Sequence, residues 1–76
     1  MKSFEKEEVS KEFGQFIRAA REAKGLYQAE VAEQLGVSRA YYTHIEAGNR
    51  EIYFTMALNI CQILNLNMNE FVKRLK

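Results

Sequence analysis

The chain has 76 residues, 47% of them hydrophobic, and a formal net charge of +1. That is enough chain for one core and too little for two, and it is too apolar for wholesale disorder. A single cysteine excludes an intrachain disulfide, and no apolar run approaches the roughly 18 residues of a membrane helix, so a cytoplasmic domain with no membrane contact is expected.

The first ten residues, "MKSFEKEEVS", are charged and form an N-terminal extension whose order the pattern leaves open, ahead of a domain over residues 11–76. Phe13, Phe16, Ile17 and Ala20 then recur at i, i+3, i+4 and i+7, which predicts a helix over Lys11–Lys24 ending at Gly25. Ser10 is one candidate for its cap; a start nearer Ser3 is the alternative. A second, short helix is predicted over Gln28–Leu35, with Val31, Ala32 and Leu35 on one face and Gly36 in the position where helices commonly end at positive φ. Ser38 offers its hydroxyl to cap a third helix, Arg39–Ala47, which Gly48 and Asn49 terminate.

A fourth helix starts near Thr55 and carries Met56, Ala57, Ile60, Cys61 and Leu64, with Asn65 as its left-handed terminator. Cys61 lies on the apolar face and reads as a small core residue. Asn67, followed by Glu70, resembles a capping box opening a fifth helix with Met68, Phe71, Val72 and Leu75 as its apolar residues. No alternating strand pattern competes, so the fold class is an all-α, five-helix bundle.

The join between helices two and three carries most of the information. Small Ala32 permits a close crossing, Gly36 makes the turn, and Tyr42 and Ile45 anchor helix three. Two helices joined at a steep angle by a short turn containing glycine are the helix-turn-helix unit, whose second helix stands clear of the domain and can enter a major groove. Wound at 100° per residue, helix three puts Arg39, Thr43, Ala47, Ala40 and His44 on a continuous arc of about 140° opposite Tyr42 and Ile45.

Charge does not support a nucleic-acid partner. Residues 25–50 set Arg39 and Arg50 against Glu30, Glu33 and Glu46, whereas nucleic-acid binders are often strongly basic. The reading therefore rests on geometry. Catalysis is excluded on composition: there is one His, one Cys and no Asp, with no zinc-ligand spacing, no phosphate-cradling glycine loop and no nucleophile–base pair. Neither a metal nor a cofactor is expected.

The stretch "FGQFIRAAREAKGLYQAEVAEQLGVSRAYYTHIEAGNR" resembles the Cro/cI-type (XRE) helix-turn-helix family of transcriptional regulators, through "KGL", "Q-x-E-V-A-x-x-L-G-V-S" and "I-E-x-G". The resemblance covers about residues 14–72. It implies a five-helix, lambda-repressor-like domain that binds double-stranded DNA, as a homodimer on an inverted-repeat operator. It also assigns roles. Gln28 matches a phosphate-contacting position; Ser38, Arg39, Ala40, Thr43 and His44 match positions facing base edges and flanking backbone; Arg50 falls in a loop that often meets backbone. Arg21 and Glu46 match a structural ion pair. Arg39, near the start of helix three, has a fork suited to guanine O6 and N7 and is the expected principal reader.

Two positions depart from the family pattern. Tyr27 stands where a Ser or Thr usually caps helix two, a loss of about 1 kcal/mol. Tyr42 replaces a smaller Ile or Val, so its hydroxyl needs a partner. Tyr53, Phe54, Ile63 and Phe71 form the expected dimer patch, since in relatives that loop and the last helices often meet a second copy. Two rival readings use the same fold: a protein-interaction module that has lost DNA affinity, and an antitoxin with an unknown protein partner.

Overall fold

The computed structural model describes residues 3–75, and five helices occupy them: α1 (Lys6–Ala23), α2 (Gln28–Leu35), α3 (Arg39–Ala47), α4 (Phe54–Ile63) and α5 (Met68–Arg74). The first four end in the same way. In each, two backbone N–H groups beyond the last turn fold back onto its carbonyls, as Val37 donates to Ala32 (3.0 Å) and Gly36 to Glu33 (3.1 Å) after α2. This is the Schellman pattern, and it requires a left-handed residue, here Gly36 at φ 74°. At the end of α4 Asn65 takes that role at φ 55°, the one non-glycine residue at positive φ among those described.

The predicted bounds of α2 and α3 coincide with the observed ones, and α4 begins one residue before the expected Thr55. α1 differs more: it starts at Lys6, five residues upstream of Lys11. Val9 extends the Phe13–Ile17 stripe by one turn and packs on the core, while Ser10 is buried inside the helix and caps nothing. Glu7 and Glu8 in the first turn complement the helix dipole there.

The core is built from Phe13, Phe16 and Ile17 of α1, Val31 and Ala32 of α2, Tyr42 and Ile45 of α3, Ala57, Ile60 and Cys61 of α4, Leu64, and Phe71 of α5. Phe71 meets Phe13 edge-on (centroids 5.2 Å apart) and lies 5.7 Å from Phe16. Its ring is thus buried in the core of the domain itself, whereas the family resemblance implies a place in a dimer patch. Ile63 is half-buried and also packs against the core, so its apolar surface is mostly used as well. Arg74, over the Phe16 ring and 3.4 Å from Glu12, ties α5 back to α1.

α1 and α3 cross in backbone contact. A Cβ on Gly14 would collide with the Glu46 carbonyl oxygen, and one on Gly48 would come within 2.8 Å of Lys11 Cα. Two glycines thus fix how closely α3 lies against α1, and with it the height at which the outer face of α3 is presented.

Candidate nucleic-acid interface

Ser38 precedes α3, and its hydroxyl accepts the Tyr41 N–H at 3.0 Å, so this side chain caps the helix as its sequence position predicts. Tyr42 and Ile45 are buried and hold the helix down; Ser38, Arg39, Ala40, His44 and Ala47 are exposed and Thr43 is half-buried. An open groove is lined by Gln28, Arg39, Ala40, Thr43 and His44. The structure therefore brings five of the predicted contact residues to one concavity. The Arg39 and His44 side chains make no hydrogen bond or ion pair among the described residues, so their donors are available to a ligand.

Arg39 also borders a second depression, shared with Arg18, Tyr27, Gln28 and Ala29. Tyr27 gives α2 no side-chain cap. Instead Glu30 accepts the Tyr27 N–H at 2.7 Å, which is half of a capping box, and the ring is 76% exposed.

Beneath this face runs a chain of polar contacts. Arg21 grips Glu46 with two parallel bonds, Nε to Oε2 at 2.6 Å and Nη2 to Oε1 at 3.1 Å, and its Nη1 donates to the Leu26 carbonyl at 2.7 Å. Glu46 Oε1 also accepts from Gln28 Nε2 at 3.0 Å, and Gln28 Oε1 accepts from the Thr43 hydroxyl at 2.9 Å. Burial alone would raise the Glu46 carboxyl, but the bonds from Arg21 and Gln28 and the nearby Tyr42 hydroxyl outweigh it and hold the group below the usual carboxylate range. Arg21 is raised in turn by its bond to Glu46, against the opposing effect of burial. The Tyr42 phenol is pushed up, first by burial and then by the adjacent Glu46 carboxylate; its oxygen is completely buried and makes no hydrogen bond.

Two arrangements were not visible in the sequence. Gln28 is turned inward onto Glu46 and Thr43, which leaves one amide hydrogen for any phosphate. Arg50, expected at the DNA backbone, has its guanidinium 4.7 Å from the centre of the Tyr41 ring, so Tyr41 fixes where that charge stands at the flank of α3. An aromatic beside an exposed arc is the only hint the sequence carried of this.

An exposed helix carried on a three-residue turn above a closed core defines a helix-turn-helix domain. The chain belongs to the helix-turn-helix family of Cro/cI (XRE) type, a family of DNA-binding transcriptional regulators and not of enzymes; the family model matches residues 17–71.

Over 61 residues, 80% of this chain, it is 33% identical to an uncharacterised HTH-type transcriptional regulator, YqaE, of Bacillus subtilis (strain 168). The matched region is 53% of that protein, so the chain spans about half the length of this curated relative. Among solved structures, the restriction-modification controller protein C.AhdI from Aeromonas hydrophila is 33% identical with a TM-score of 0.73, covering 80% of this chain and 92% of its own. The clp gene regulator ClgR from Corynebacterium glutamicum is 25% identical with a TM-score of 0.79, covering 84% of this chain and 68% of its own. No helix among the described residues is long and apolar enough to cross a membrane.

Proposed function

We propose that this chain is a sequence-specific regulator of transcription that binds double-stranded DNA, with α3 in the major groove and Arg39 as its principal reader. One observation carries the reading: Arg39 is exposed and unpartnered at the start of α3, on a face that two glycine contacts and a buried ion pair hold at fixed height. A free guanidinium there has the geometry to pair with guanine O6 and N7. His44 and Ala40 lie beside it for base edges, and Ser38, the remaining amide hydrogen of Gln28 and Arg50 for flanking backbone. Such contacts position the protein without reading sequence.

The reading includes a homodimer on an inverted repeat, with half-sites about one helical turn (~10 bp) apart. It is supported by Tyr53 and Phe54, 70% and 73% exposed, with Leu58 one turn along α4. A regulator of this kind works in the cytoplasm, and the likeness to a restriction-modification controller protein supports a controller or repressor role.

The test is selection of bound duplexes from a random DNA library by the wild type and Arg39→Ala in parallel. The expected result is an enriched inverted repeat in which the variant loses one guanine preference. Enrichment of nothing by the wild type at low salt would overturn the reading and turn attention to a protein partner.

A further inference from the structure

The polar chain beneath the α3 face has a direction. The Glu46 carboxylate has no hydrogen to give, and it already accepts both bonds from Arg21. Whatever Gln28 turns toward it must be a donor, so the amide NH2 faces Glu46 and the amide oxygen faces Thr43. That oxygen cannot donate either. The Thr43 hydroxyl must therefore spend its only hydrogen on Gln28, and what it keeps for the groove is a pair of acceptor sites and a methyl group. The Glu46 carboxylate, held by Arg21 three hydrogen-bonded links from Thr43, thus fixes the hydrogen-bonding character of a half-buried side chain that lines the groove.

Resting on the proposal that α3 enters the major groove, we infer that Thr43 is a specificity-determining residue that works as an acceptor only. It selects a base whose edge toward it carries an amino group, cytosine N4 or adenine N6, and disfavours guanine O6 and thymine O4. Thr43 lines the same groove as Arg39, one helical turn further along, so the base it reads lies close to the guanine assigned to Arg39. A hydroxyl free to rotate could serve either kind of edge, and a threonine without this lock would discriminate little. By the same logic Thr43 has no hydrogen for a phosphate. The donor that the network leaves unspent is the second amide hydrogen of Gln28.

The test runs the library selection with Thr43→Val, which keeps the shape and the methyl, and Gln28→Leu, which removes the lock, alongside wild type and Arg39→Ala; melting curves verify that each variant folds. In the wild type, a position near the Arg39-dependent guanine is expected to favour cytosine or adenine. Thr43→Val should lower that preference about tenfold, the order expected for one base-edge bond. Gln28→Leu should broaden the same position to admit guanine and thymine, an effect distinct from uniformly weaker binding. The inference is overturned if Thr43→Val changes no position, if the position it changes favours guanine or thymine in the wild type, or if Gln28→Leu leaves the preference intact. A guanine preference lost in Arg39→Ala while Thr43→Val is silent would leave DNA reading standing and remove only this role.

Discussion

Tyr42 concentrates the tension between packing and polarity in this small core. Its ring is fully buried where the family pattern has a smaller aliphatic side chain, and its hydroxyl has no hydrogen-bond partner. A buried unsatisfied polar group costs about 1–3 kcal/mol, so Tyr42→Phe, which keeps the ring, is expected to raise the melting temperature at neutral pH. The pH dependence has a definite sign. A phenol whose folded-state pKa is raised contributes stability that is fully present below its unfolded value near ~10 and is lost as pH rises beyond it. Thermal melts between neutral and strongly alkaline pH should therefore fall more steeply for wild type than for Tyr42→Phe. Parallel curves would show that the hydroxyl is not the titrating group.

At the scale of the element, α2 is the least secured helix on the reading side. It is short, and its N-cap residue supplies no side-chain oxygen, so only Glu30 reaches back to the chain entering it. The backbone of Tyr27 already has the extended conformation an N-cap needs (φ −87°, ψ 154°). Tyr27→Ser should then add the missing acceptor and stabilise the domain by about 1 kcal/mol, read as a rise in the denaturation midpoint at constant slope. A fall would mean that the exposed ring packs on something the substitution removes. Because Gln28 is the first residue of α2, tightening this cap also steadies the amide that orders the α3 face.

For the whole molecule, low charge and small size act together. With +1 overall, a chain that binds DNA as proposed would neutralise few phosphates and offer a short reading surface, and the proposed dimer would double both. On the proposed dimer, sedimentation should give two copies for the wild type and, at the same concentration, a monomer for the variant with Tyr53 and Phe54 both replaced by Ala. Affinity for the selected operator should fall at least about tenfold. The slope of log affinity against log salt should drop to about half, since each lost phosphate contact removes about 0.9 from it. A monomeric variant that binds as tightly as the wild type would remove the dimer from the mechanism.

The five helices and most of their ends, though not the start of α1 at Lys6, were legible in the sequence because local chemistry sets them. Gly36 and Asn65 terminate helices by their own backbone conformation, Ser38 caps by reaching three residues on, and the i, i+3, i+4 spacing of Phe13, Phe16 and Ile17 defines a buried stripe without reference to anything else. The exposed arc of α3 follows from the same periodicity. Other features depend on residues that meet only once the helices have packed. Gln28 touches Thr43 and Glu46 across 15 and 18 positions of chain, and Arg21 reaches Glu46 across 25. Family resemblance supplied the last of these pairs, but no pattern along the chain shows which way the Gln28 amide turns. Phe71, expected in a dimer patch, is buried against Phe13 and Phe16 once α5 closes on α1, a contact that no pattern along the chain shows. The sequence by itself determined which face of α3 is free; the tertiary structure alone decided what each side chain on that face has left to offer, because a hydrogen bond made inside the fold is unavailable outside it.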